Sequence, residues 1–286
     1  MNKRNEMLKE NNFSGLIRDS YDPNDLIYER QFKIKSPDVI LPDSFNLLYK
    51  TPPFRSQGKK GACVAMASCS ALSMLPEYEG LTFSVDFLYH FSRILENSSY
   101  KDNGVSLKSS LKAMHRFGVC LEEMFPYNED IVDREPSTEC IMNGLEHRID
   151  KYYKIKNGLY SIKSYLYTER LPILFGMTVF ESAKSEKVRR TGIIPIPKSD
   201  EEVVGNHGLL CVGYKSVSRF EKLQSVFNST LSSDCYLVCL NSWDGYNEND
   251  GNILYIPVEM FTQHNFCFDF WAISGAYKEE KEKVND

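Results

Sequence analysis

The chain has 286 residues, of which 42% are hydrophobic and 26% charged, with a formal net charge of −5. That length can bury a sizeable core as one large domain or two lobes, and that composition excludes wholesale disorder. The acidic balance argues against nucleic acid as an obligatory partner, because "GKK" at 58–60 and "KVRR" at 187–190 are too short to supply the clustered cations that phosphates need.

Residues 1–40 are polar, carry "DPND" at Asp22–Asp25 and show little periodicity, so they read as an extended N-terminal arm or pro-segment. The start of the chain lacks the apolar core of a signal peptide, and no later run is long enough to span a bilayer. The expectation is an intracellular protein, cytoplasmic or packaged in a particle, with no membrane partner. The eight cysteines (Cys63, Cys69, Cys120, Cys140, Cys211, Cys235, Cys239 and Cys267) are scattered and form no CxxC pair. A reducing compartment disfavours a disulfide framework, and structural zinc lacks its usual ligand spacing, so neither a metal nor another cofactor is expected. Most of these thiols should be small buried hydrophobes.

From "LPDSFNLL" at Leu41 the chain turns apolar, and three helices follow. The first starts near Cys63, runs through Ala65, Met66, Ala67, Leu72 and Leu75, and stops at Pro76. The second has Ser84 as N-cap and Phe87, Leu88, Phe91, Ile94 and Leu95 on one face. The third has Ser106 as N-cap, Leu107, Leu111 and Met114 along one stripe, and Gly118 as its stop. The second half reads as strands at 172–180, 207–215, 235–243 and 251–257, bounded by Gly, Pro, Asn and Asp. Helices first and strands second predict an α+β protein with segregated lobes and a cleft between them. The charged tail, 276–286, reads as a solvated end.

Three polar positions interrupt apolar surroundings: Cys63 opens the first helix, His207 opens a strand, and Asn241 closes the next. Alone, Cys63 can be a small core residue, half of a disulfide, a metal ligand or a nucleophile. A helix N-terminus favours a thiolate. A histidine nearby can pair with that thiolate and later protonate a leaving amine, and an amide beside the histidine can fix its ring.

"QGKKGACVAMAS" around Cys63, "NHGLLCVGY" around His207, "LNSWDGYNENDGNILYIP" from Leu240 and "NGVSLKSSLKAMHRFGVCLEEMFPY" from Asn103 together resemble the papain family of cysteine peptidases, in its bacterial-type branch without a secretory signal. The resemblance covers roughly Leu41 to Gly275. It implies a papain-like two-lobe fold, helical over about 55–150 and an antiparallel β lobe over about 160–275, in a peptidase domain spanning 41–275. It also implies that Cys63 attacks the scissile carbonyl, His207 is its acid–base partner, Asn241 orients His207, and Gln57 donates to the oxyanion together with the Cys63 N–H. Trp243 is expected to shield the Asn241–His207 contact. Gly104 and Asn103 are expected to line the substrate cleft, and Asn206 to sit near the entry of the pocket.

Departures from the family pattern are local. Lys60 stands where secreted members carry a disulfide cysteine, Val64 replaces a tryptophan and is expected to leave a smaller cleft wall, and Asp244 and Tyr246 replace a glycine and a second tryptophan. An unusually long loop, 216–234, reads either as a tolerated surface excursion or as a segment bordering the cleft or a partner surface. No occluding histidine pair is visible, since His90, His115, His147 and His264 read as structural or surface residues, so an endopeptidase acting on polypeptide substrates is expected through a thioester acyl-enzyme. The arm, which lacks the long helical pattern of secreted precursors, is a candidate intramolecular inhibitor that plugs the cleft, the alternative being a simple brace of the body. Rival readings are a catalytically silent papain-like peptide-binding or scaffold protein, and a hydrolase or acyltransferase acting on another amide.

Overall fold

The computed structural model describes residues 13–32, 40–98, 101–217, 233–247 and 250–277. Most of the long 216–234 loop, and the tail beyond Tyr277, lie outside the described residues.

Helix α1 (Tyr28–Gln31) is a single turn in the arm. Helix α2 (Cys63–Ser73) is buried on nearly every side, and its path ends because Pro76 holds Leu75 in an extended conformation. Helices α3 (Val85–Leu95) and α4 (Leu107–Arg116) begin where the sequence predicts. Ser84 Oγ accepts from the Phe87 N–H and Ser106 Oγ accepts from the Ser109 N–H. Helix α5 (Thr138–Glu146), capped by Ser137, completes this lobe. Phe83, Phe87, Leu88, Leu111 and Met114 join α2 in one core.

The second lobe is built on a seven-stranded antiparallel sheet. Its strands are β2 (Ser44–Asn46), β4 (Ile149–Lys154), β5 (Ile173–Phe180), β6 (Val203–Ser216), β7 (Cys235–Leu240), β8 (Ile253–Pro257) and β9 (Cys267–Ala276). The order is β4-β9-β5-β6-β7-β8, with β2 paired to β6. A second core of Phe175, Phe270, Leu209, Leu237, Leu254 and Ile256 fills it, bounded by helix α6 (Leu159–Glu169) and the short α7 (Glu186–Thr191) and α8 (Glu259–Thr262). The α+β two-lobe expectation holds.

Strand β6 begins at Val203, four residues before His207, so the histidine sits inside a strand rather than at its edge. Strand β7 stops at Leu240, which leaves Asn241 to Trp243 in the following turn. Between β5 and β9 the register shifts, and Asp269 takes φ +54° there, a β-bulge that turns this carboxylate toward the arm. Two residues of the arm form a separate two-stranded parallel ladder, β1 (Leu16–Ile17) against β3 (Val105–Ser106), in the register Leu16 opposite Val105.

Candidate active site

The first turn of α2 meets β6 at closer than ordinary range. A Cβ on Gly208 would lie 3.0 Å from Val64 Cγ2 and 3.2 Å from Val64 Cα, so glycine there lets the helix N-terminus reach the strand. Val64 is therefore a fully buried packing residue beneath β6. The contact brings Cys63 against the residue that follows His207: the Gly208 N–H donates to Cys63 Sγ at 3.3 Å.

His207 Nε2 and Asn241 Oδ1 are 3.1 Å apart, with the imidazole donating. The indole of Trp243 stacks on the His207 ring at 4.1 Å between centroids. Cys63, His207 and Trp243 are fully buried, and Asn241 nearly so. Among the described residues, His207 Nδ1 is buried without a hydrogen-bond partner.

Gln57 comes to the same place through a tight turn. Its backbone N–H donates to the Ser242 carbonyl at 2.9 Å, and its side-chain oxygen accepts from Ser242 Oγ at 2.6 Å. Its Nε2 donates to the Lys60 carbonyl at 3.1 Å. The Asp102 carboxylate accepts from the Gly61 N–H at 3.0 and 3.1 Å, and Tyr89 bridges Asp102 to the Gly104 N–H. Gly104 has φ +75°, a conformation that disfavours any side chain. Asn103 is exposed beside it. Asn206 accepts from Thr178 Oγ1 at 3.3 Å. Of the other histidines, His115 and His147 donate to the Ile149 and Asn143 carbonyls, and His264 stacks on Phe266.

The arm crosses this site. A Cβ built on Gly15 would fall 2.8 Å from Cys63 Sγ and 2.7 Å from the Gly61 carbonyl, and one on Gly104 would fall 2.4 Å from the Gly15 carbonyl. The Gly15 carbonyl accepts from the Val105 N–H at 3.2 Å. Phe13 packs on Trp243 at 4.7 Å, and Leu16 is buried close to Gly176 and Phe268. Arg18 donates to Thr178 Oγ1 and covers the Phe268 ring. Asp19 accepts from Trp271 Nε1 at 2.6 Å and from the Lys108 N–H at 3.0 Å, while its own N–H donates to Asp269.

Beneath the arm, burial favours the neutral form of both central groups. Burial pushes the Cys63 thiol up to about 11, against backbone N–H groups of Gly208, Val64, Cys63 and Gly15 that turn toward the sulfur. Burial also pulls His207 down to about 3, against the hydrogen bond to Asn241. All eight cysteines are free thiols, and among the described residues no group of His, Cys, Asp and Glu is disposed to hold a metal ion. No helix among the described residues is long and apolar enough to cross a membrane.

Sequence reasoning located Cys63, His207, Asn241 and Gln57, and the fold brings these four together. It missed Ser242 as the clamp on Gln57 and Asp102 with Tyr89 as the brace of the cleft edge. It also missed which arm residues cross the site, although Gly15 within "SGLIRDS" is the sort of residue a close backbone approach requires.

The family model for papain family cysteine proteases matches residues 41–267. The chain belongs to the papain family of cysteine proteases. A peptidase C1-like protein of Acanthamoeba polyphaga mimivirus is 28% identical over 229 residues, covering 76% of this chain and 68% of that protein. Among solved structures, xylellain, a cysteine protease from Xylella fastidiosa, superposes with a TM-score of 0.74 at 24% identity, over 92% of this chain and 96% of its own. The digestive procathepsin L 3 of Tenebrio molitor larval midgut gives 0.65 at 15% identity, over 95% of this chain and 79% of its own.

Proposed function

We propose that the chain is a cysteine endopeptidase of polypeptide substrates that rests in a closed state, with its N-terminal arm as an internal plug. The observation that carries this reading is the backbone of Gly15 lying against Cys63 Sγ, in a cleft edged by Gly104. A cleft that accepts an extended segment there is shaped for a polypeptide main chain.

In the open enzyme, water reaching the cleft lowers the desolvation cost that keeps both groups neutral, and the proton moves from Cys63 to His207 Nδ1. The helix N-terminus of α2 and the Gly208 N–H favour the resulting thiolate. The thiolate attacks the scissile carbonyl carbon, and the oxygen takes its charge against the Cys63 N–H and the Gln57 amide. His207, held by Asn241, gives its proton to the leaving amine, and a thioester remains. Water, deprotonated by His207, then releases the acid and restores the thiol. Cys63, His207, Asn241 and Gln57 carry these steps, while Gly104, Asn103, Asn206 and Trp243 border the bound peptide.

The arm itself is poorly placed for attack. Its Gly15 N–H faces the sulfur, and its Gly15 carbonyl is held by Val105 rather than by the oxyanion donors. A peptide bound so blocks the site without being cut. On this reading residues 1–40 act as a pro-segment for the 41–275 domain.

The test is intact mass after exposure to an epoxysuccinyl peptide inhibitor, on the full chain and on a chain lacking residues 1–40, with Cys63→Ala as control. The expected result is one adduct at Cys63, formed faster without the arm. A folded protein that takes no adduct in either form overturns the peptidase reading. Equal rates with and without the arm overturn the plug.

A further inference from the structure

Lys60 is a cation with almost no exposure to water. Its ammonium donates to Asp86 Oδ1 at 2.7 Å, to the Ile131 carbonyl at 2.7 Å and to the Asn128 carbonyl. Those three acceptors satisfy all the N–H bonds a lysine has. Asp86 lies in the first turn of α3, where the helix dipole favours a carboxylate, and its other oxygen accepts from the Asn128 N–H and from Arg134. The ammonium also sits 4.9 Å from the centroid of the Tyr127 ring.

The main chain of the same residue holds Gln57. The Lys60 carbonyl accepts from Gln57 Nε2 at 3.1 Å, and the Lys60 N–H donates to the Gln57 carbonyl at 3.3 Å. Tyr127, under the ammonium, donates its hydroxyl to that same carbonyl at 2.7 Å. The side chain is thus anchored in the helical lobe, and the backbone three residues before Cys63 fixes the amide aimed at the oxyanion.

We infer that Lys60 is a positioning residue for the oxyanion hole, acting through the Lys60–Asp86 pair to hold the Gln57 amide. The inference rests on the peptidase reading for its kinetic consequence, though not for its geometry. Loss of the ammonium leaves Asp86 to Arg134 and the Asn128 N–H, and strips the Asn128 and Ile131 carbonyls of their donor, so the turn loses the anchor that keeps Gln57 in its place. Because the amide acts on the transition state and not on the bound peptide, loss of Lys60 falls on kcat and spares KM.

The experiment compares the full chain with Lys60→Met, which keeps length and removes charge, and with Lys60→Arg, which keeps charge. Asp86→Asn is the gentler variant if Lys60→Met does not fold. Two readouts are taken: peptide hydrolysis, and the ¹H–¹⁵N resonances of the Gln57 side-chain amide. The expected result for Lys60→Met is a kcat lower by about 10–100-fold with KM within about twofold. Its Gln57 amide signals move or broaden while signals of the β lobe stay. Lys60→Arg should recover part of the lost kcat. An unchanged kcat and an unmoved Gln57 amide overturn the inference, as does an equal disturbance of signals throughout both lobes. A wild-type chain that hydrolyses nothing and takes no inhibitor adduct, both with and without residues 1–40, counts against the peptidase reading, and the Gln57 resonance then decides the role of Lys60 alone.

Discussion

Two segments meet at the Cys63 sulfur: the turn 57–63, which carries it, and the arm 13–19, which covers it. The turn is fastened by groups withdrawn from water, with the Lys60 ammonium on three acceptors, Gly61 on Asp102 and Gln57 on Ser242. The arm is fastened by a two-residue ladder, by two apolar side chains and by half-buried polar contacts at Arg18 and Asp19. Exposed and partly exposed polar contacts contribute little each, whereas a satisfied buried ion pair is costly to open. Under the proposed function, the contrast suits one segment that stays and one that leaves.

Removing the thiol should produce the largest effect. Cys63→Ala is expected to lower peptide hydrolysis by at least about 10³-fold, since no other group replaces the nucleophile. Residual turnover near the wild-type level would place the chemistry elsewhere. Next, Gln57→Ala should cost about 10²-fold in kcat with little change in KM, as loss of one oxyanion donor does. A matching rise in KM would show that Gln57 serves binding instead.

The arm can be dislodged without touching the turn. In Gly15→Leu the new Cβ meets Cys63 Sγ and the Gly61 carbonyl, so the arm should be expelled and adduct formation at Cys63 should quicken by about tenfold or more. Unchanged kinetics would mean that the arm does not control access.

A smaller effect concerns pH. Burial, and then the neighbouring Asp269 carboxylate, raise Asp19 from 3.8 to about 6 in the docked arm. The docked state therefore holds a proton that the free arm releases. Docking is strongest below pH about 4 and weakens as pH rises through about 6. Lys108, Lys154 and Trp271 around Asp19 oppose the shift without reversing it. Hydrogen exchange of residues 13–19 should quicken from pH 4.5 to 7 more than intrinsic exchange predicts, and Asp19→Asn should remove the excess.

Much of the site is legible because its signals are local. Cys63 after "QGKKGA", His207 in "NHGL" and Asn241 in "LNSW" each carry short-range context, and Ser84 and Ser106 announce their helices by capping chemistry. What stays hidden depends on distant partners. Strand β9 contains Asp269 with positive φ in a bulge, which breaks the alternation a strand would show. The pairing of Leu16 with Val105 joins residues far apart in the chain, and neither stretch has the length or pattern of a strand. Lys60 looks like a surface cation beside Lys59, and only the fold reveals that it is buried on Asp86.

The ladder between Leu16–Ile17 and Val105–Ser106 has two residues on each side. A free peptide of that sequence would be a weak ligand, since so short a ladder must offset the whole entropy of association. Joined to the body, the arm docks intramolecularly, at an effective concentration set by the linking chain rather than by the amount of protein. A single cut between the arm and Leu41 would replace that figure with the bulk concentration. Occupancy of the cleft would then fall by dilution alone, with every contact in it unchanged.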